Sequence, residues 1–326
     1  MEGKGKSSLI RLGERRFNFQ GMATIVVFIV IFITLSILSP HFLTVENMVA
    51  LLRQISMMLI AGVGMTFLII SGGIDLSIGS IFGITGVVCA LLISKANLAV
   101  PIAILVALVL SIFIGLINGF LVTRLFLPPL LATLGMMTAL RGASFLITGG
   151  HTIRAVPESY LWLGRGWILG YIPVSVFFSI LIFVIFLFIQ YNTKFGLYIY
   201  AIGDNRLSAR RAGIKDITYT NLVYMISGLL AGFAGIISSS KMGAGLPQSG
   251  EGFEMDVITA VVIGGTSIFG GIGRVEGTLL GVLIMGMITN GMYLLEVHSY
   301  WQQVAKGLIL VVALGAETIR QSREVR

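Results

Sequence analysis

Ser71-Gly72-Gly73-Ile74-Asp75-Leu76-Ser77-Ile78-Gly79-Ser80 joins two charge-free apolar runs, 54–74 and 76–94, with no polar loop between them. Each run has the length of a bilayer span, about 20 residues. A carboxylate held at the centre of a membrane helix costs about 2.5–3.5 kcal/mol on insertion scales. Asp75 therefore belongs at a helix break, near a membrane face or a wet cavity. Gly72 and Gly73 free the backbone to bend, and Asp75, Ser77 or Ser80 can cap the helix that follows. Two readings stay open: a break lining a path through the membrane, and a capped re-entrant turn that shapes a helix bundle.

Outward from this point the pattern repeats. Charge-free stretches of at least 16 residues run 17–45, 54–74, 76–94, 96–123, 125–140, 166–193, 217–240, 257–273 and 277–295. A tenth, 297–316, is interrupted only by Lys306. Of 326 residues, 56% are hydrophobic and 11% charged, against about 25% charged in a soluble domain. This excludes a soluble enzyme, a disordered chain and a disulfide scaffold; Cys89 is alone. The expectation is an all-α integral membrane protein of about ten transmembrane helices, broken near its Gly-Gly motifs, with 1–326 forming one polytopic domain. The small-residue pairs Gly115/Gly119 and Gly228/Gly232 suit close helix packing. No small-x-small cleavage site follows Leu38, so the first stretch reads as an uncleaved span.

Orientation follows from Lys and Arg. With the N-terminus inside and ten spans alternating, fifteen of the 22 basic residues fall inside and four outside. The positive-inside rule then puts both termini, 1–20 and the long connection 191–216 in the cytoplasm. The net charge of +8 matches basic segments beside anionic membrane lipid, and nucleic acid is not an expected partner.

Catalytic signatures are missing. Gly5-Lys6-Ser7 ends like a Walker A loop but lacks its upstream Gly, and GxSxG, HExxH and CxxC do not occur. His41, His151 and His298 lie far apart in short loops. Neither a metal nor a cofactor is expected, nor an enzyme.

Two further features have structural consequences. Gly270-Gly271-Ile272 repeats Gly72-Gly73-Ile74, and Gly277 and Gly281 repeat Gly79 and Gly83, 198 residues on. This hints at duplicated halves. The second half of 191–216 reads as a short amphipathic helix that Asp204 or Asn205 caps and Gly213 stops, with Ala209 and Ala212 on one side. It is either a basic loop that sets topology or a docking helix for a cytoplasmic partner.

These motifs, in this order, resemble the permease subunits of sugar ABC importers of the ribose/galactose/xylose type. The resemblance covers about Phe42 to Glu317. It rests on Gly72–Ser80, on Leu131–Met137 with Arg141-Gly142, on Tyr200–Asn205 through Ala212–Ile214, and on Asp256–Ser267 with Gly270-Gly271 and Glu276-Gly277. It implies a prokaryotic inner-membrane permease translocating a monosaccharide. The implied partners are a second permease copy, as a homodimer, a separate cytoplasmic ATPase subunit and an extracytoplasmic sugar-binding protein. It also implies that Gly203, Asp204, Asn205, Ala209, Arg210 and Gly213 couple the permease to the ATPase. One departure is that Arg206-Leu207-Ser208 stands where the family usually has acidic residues.

For the path itself, Gly72, Gly73, Asp75, Asn118 and Thr133 are the candidates. Asn118, Thr133 and Ser144 are polar positions on apolar spans, and each can equally hydrogen-bond a neighbouring helix. The alternatives are an ion-coupled secondary transporter, with Asp75 as its coupling carboxylate, and an ABC permease for a nucleoside or branched-chain amino acid.

Overall fold

The computed structural model describes residues 5–154 and 156–324; 1–4, 155 and 325–326, with Lys4 and Arg326 of the orientation argument, lie outside the described residues. The chain runs α1 (Gly5–Leu38), α2 (Val45–Ile70), α3 (Ile78–Ser94), α4 (Val100–Thr123), α5 (Pro129–Thr148) and α6 (Glu158–Arg165). A short ribbon, β1 (Trp167–Ile168) with β2 (Ile172–Pro173), leads into α7 (Val174–Asn192). Then follow α8 (Lys194–Asp204), α9 (Arg206–Arg211), α10 (Asp216–Met242), α11 (Phe253–Ile263), α12 (Val275–Leu294) and α13 (Ser299–Glu324).

Among the described residues, seven helices are long and apolar enough to cross a membrane: α2, α4, α5, α7, α10, α12 and α13. This is a multi-pass membrane protein. The ten apolar stretches do not map onto ten equal helices. The 17 residues of α3 are apolar but shorter. The stretch 257–273 yields only α11, which has 11 residues. At 1.5 Å per residue α11 is about 16 Å long, well short of a hydrocarbon core of about 30 Å. Absence of charge measured apolar length, whereas Gly264 ends the helix and 266–274 is irregular. The connection 191–216 likewise contains the end of α7, two helices and the start of α10.

α10 and α2 form the centre, with 67% of their most apolar windows buried, against 17% for α5. α10 lies between α3 and α4 because small residues line the contact. A Cβ on Gly228 would stand 2.6 Å from the Ser111 carbonyl, and one on Gly119 would stand 2.7 Å from Asn221 Oδ1. Gly115 abuts the Tyr224 carbonyl, and Gly232 the Ser111 side chain. The two sequence pairs therefore seat on each other's helix. Arg53 also finds a place: it donates to the Gly164 and Arg165 carbonyls at 3.2 and 2.7 Å and covers the Trp167 ring.

Candidate functional site

The first break is built from local rules. α2 ends with Gly72 N–H on the Ile69 carbonyl (2.9 Å) and Gly73 N–H on the Leu68 carbonyl (3.0 Å). This closing pattern needs a left-handed residue, and Gly72 has φ +80°. Asp75 then folds over its own turn. Its Oδ1 accepts from the Ser77 N–H (2.8 Å) and the Ser77 hydroxyl (2.6 Å). It does not cap α3: Ser77 holds the N-cap position, without a side-chain cap bond.

All five path candidates meet here: Gly72 and Gly73 form the turn, and the side chains of Asp75, Asn118 and Thr133 close on it. Asn118 Nδ2, from α4, donates to Ser77 Oγ (2.8 Å) and reaches Asp75 Oδ2 at 3.3 Å. Thr133 Oγ1, from α5, accepts from the Leu76 N–H (3.1 Å). Asp75, Asn118 and Thr133 have no solvent exposure. The cluster ties the break to α4 and α5 and leaves none of the three side chains open to a path in this conformation. Asp75→Asn keeps an acceptor oxygen for the Ser77 N–H and should leave the yield of folded permease near wild type. Asp75→Leu strands buried donors, a loss of about 1–3 kcal/mol. It should lower the monodisperse peak in detergent size-exclusion chromatography. Full yield of Asp75→Asn without transport would instead show that the charge itself is required.

The second break joins the first. Gly271 N–H donates to the Ile70 carbonyl at 2.9 Å. Gly270 has φ +89°, and a Cβ on it would stand 3.2 Å from Gly72 Cα and 2.9 Å from the Gly203 carbonyl. A Cβ on Gly203 would collide with the Ile70 carbonyl and stand 2.6 Å from Gly271 N. The repeated glycine motifs thus meet at one point, with the end of α8 pressed against both. The glycines after each break also act alike. Gly79 and Gly83 abut the Gly250 and Ser249 carbonyls, as Gly277 and Gly281 abut those of Gly264 and Ala260.

The end of α7 and α8 are bonded to the second break. Tyr200 donates its hydroxyl to the Gly273 carbonyl, and Tyr191 donates to Glu276 at 2.8 Å. Asn205 caps α9 by accepting from Ser208 N–H (2.9 Å), and Gly213 follows it at φ +85°. Asp204 lies over Gly271. Arg210 grips Asp216, the first residue of α10, through two hydrogen bonds of 3.1 and 2.8 Å. Ala209 is buried and faces the permease body, whereas Leu207, Ser208 and Arg211 face outward.

Two charged residues outside the sequence candidates meet inside the helical body. Arg141 is the thirteenth of the twenty residues of α5, and its Nη2 lies 3.6 Å from Oε1 of the buried Glu254, near the start of α11. The 125–140 stretch stops at 16 residues, too few for a span, which was the signal that Arg141 lies within one. Lys306 of α13 is matched by Asp256 at 2.6 Å.

Helices broken by glycine pairs and packed through small residues, seven of them long enough to span a bilayer, define a multi-pass membrane protein. Residues 47–314 match the family described as branched-chain amino acid transport system / permease component, and the chain belongs to that family. It is 37% identical over 318 residues to the ribose import permease protein RbsC of Haemophilus influenzae, covering 96% of this chain and 97% of that protein. Similarity to the ribose import permease of Bacillus subtilis is 38% over 315 residues, 95% of this chain and 97% of that one. The L-arabinose ABC transporter permease AraH of Azospirillum brasilense is 36% identical over 299 residues, 92% of this chain and 88% of that one. No solved structure matches the chain significantly.

Proposed function

We propose that this protein is the permease subunit of an ATP-driven importer that moves a monosaccharide, received from an extracytoplasmic binding protein, into a prokaryotic cell. ATP is hydrolysed by a separate cytoplasmic subunit, and a second permease copy completes the membrane unit. The observation that carries the reading is the attachment of α8, which Asn205 joins to α9, to both glycine breaks through Gly203. A force on the exposed face of α9 reaches α10 through the Arg210–Asp216 pair, and α2 and the segment before α12 through the backbone of α8. The named sugar relatives support the substrate class over a nucleoside or branched-chain amino acid. The ion-coupled alternative is less well supported, because Asp75 is enclosed by its own turn and α4.

The ten apolar stretches cross or re-enter the inner membrane as one domain, with outward Leu, Ile, Val and Phe against lipid, and both termini and 191–216 are cytoplasmic. Single cysteines at Ser208 and Ser322, in a Cys89→Ala background, should resist a membrane-impermeant thiol reagent in intact cells and react after lysis. Labelling of either from outside would reverse the orientation. Transport is tested by reconstitution with the ATPase and binding protein, where wild-type uptake of labelled ribose should require ATP.

A further inference from the structure

We propose that Arg141 and Glu254, 3.6 Å apart at mid-depth of the helical body, form a subsite of the translocation path that binds neighbouring hydroxyls of a monosaccharide in transit. This rests on the transport reading above.

Depth comes first. Arg141 follows Pro129 by twelve residues and precedes Thr148 by seven. At 1.5 Å per residue it is about 18 Å and about 10 Å from the ends of α5. A guanidinium at that level is not stable against lipid tails; it faces a wet cavity or a polar partner. Its side chain is nevertheless 32% exposed. The face of α5 beside it is open, since a Cβ on Gly135 or Gly142 would meet nothing within 4 Å. Thr138, one turn before Arg141, is exposed on that face together with the larger Leu134 and Phe145.

Glu254 supplies the other half. The chain leaves α10 at Gly243 and doubles back along α3: Gly245 lies against Val87 and Ala90, and Gly250 against Gly79. This return delivers Glu254 to mid-depth as the second residue of α11. Gly79 makes room for it, because a Cβ there would strike the Glu254 carboxylate. Glu254 is 4% exposed, and its Oε2 is buried with no hydrogen-bond partner among the described residues. The chain thus places a carboxylate in the membrane body beside one cation and does not close the pair tightly. Charge-assisted N–H···O contacts settle at about 2.7–2.9 Å, and 3.6 Å is looser than that.

A loose donor–acceptor pair matches sugar chemistry. Each hydroxyl both donates and accepts, so one can accept from Arg141 while its neighbour donates to Glu254. The ligand class is a neutral polyol of pentose or hexose size. Two groups that neutralise each other let such a molecule bind and leave without carrying charge across the membrane.

The test uses the complete transporter in proteoliposomes, with ATPase subunit and binding protein. A cysteine placed by Thr138→Cys, one turn before Arg141 on α5, in a Cys89→Ala background should be modified by a small water-soluble methanethiosulfonate. Ribose-loaded binding protein plus ATP should slow that modification. Arg141→Gln and Glu254→Gln should each lower ribose uptake at least tenfold while still co-purifying with the ATPase subunit in wild-type yield. Arg141→Lys, which keeps the charge, should retain more uptake than Arg141→Gln. Wild-type uptake in both Gln variants, or no modification of the cysteine, would overturn the site. If the Gln variants fail to assemble, the cysteine result alone decides. Absence of any sugar uptake by the wild-type transporter would reject the transport reading, and this site with it.

Discussion

Leu207→Asp should abolish capture of the ATPase subunit while leaving the permease inserted and folded. Leu207 lies on α9 and is 57% exposed, beside Arg206 and Arg211, so a large apolar side chain is presented among positive charges with nothing of this chain covering it. Interfaces draw most of their affinity from a few such anchors surrounded by a polar rim. Replacing an anchor with a carboxylate removes the apolar contact and leaves a charge to desolvate, a loss of about 2 kcal/mol or more, which is about thirtyfold in affinity. Pull-down from solubilised membranes reads this directly, with permease yield from the same preparation as the control. Ala209→Asp should behave differently. Ala209 is 4% exposed and packs inward, so the charge would prise α9 from the body and lower the yield of folded permease. Undiminished capture by Leu207→Asp would mean that α9 is not the docking element, and the segment around Arg274 would take its place.

Gly203→Val should uncouple the permease at the junction itself, with the ATPase still able to dock. Its Cβ would meet the Ile70 carbonyl and Gly271 N, both backbone atoms of separate breaks, so neither can move aside as a side-chain tip would. Relief requires α8 to withdraw or the Gly271–Ile70 hydrogen bond (2.9 Å) to open. Overpacking of this kind costs about 1–3 kcal/mol. The expected result is a lower thermal midpoint in detergent together with loss of ATP-driven uptake. Gly307→Ala is the control: it sits in α13 with nothing within 4 Å of an added Cβ, and both quantities should stay at wild type. A Gly203→Val permease with normal midpoint and normal uptake would show that the junction carries neither stability nor coupling.

The features legible in the sequence were those set by local chemistry. Gly72 as a helix stop, Asn205 as a cap, Gly213 after α9 and the small-residue pairs of α4 and α10 follow from residues a few positions apart. The features that escaped depend on contacts between distant segments. Nothing local announces that Asn118 and Thr133 close over the Asp75 turn, 43 and 57 residues from their partners. A count of apolar residues also cannot see where a helix ends. The stretch 257–273 looked like a span, but Gly264 ends α11 after 11 residues. Glu254 was passed over for a related reason. It lies just before an apolar stretch and reads as loop, yet the return of 243–252 along α3 carries it to the middle of the body. The family resemblance puts Ala209 among the coupling residues, but a motif match does not say which face of α9 the protein itself covers, and Ala209 packs inward.

The most direct test is sugar-dependent ATP hydrolysis in proteoliposomes holding this permease, its ATPase subunit and the binding protein. Ribose-loaded binding protein should raise hydrolysis severalfold over the sugar-free binding protein, and labelled ribose should accumulate inside only when ATP reaches the ATPase. Ribose accumulation by the permease alone, driven by a proton or sodium gradient, would contradict the account.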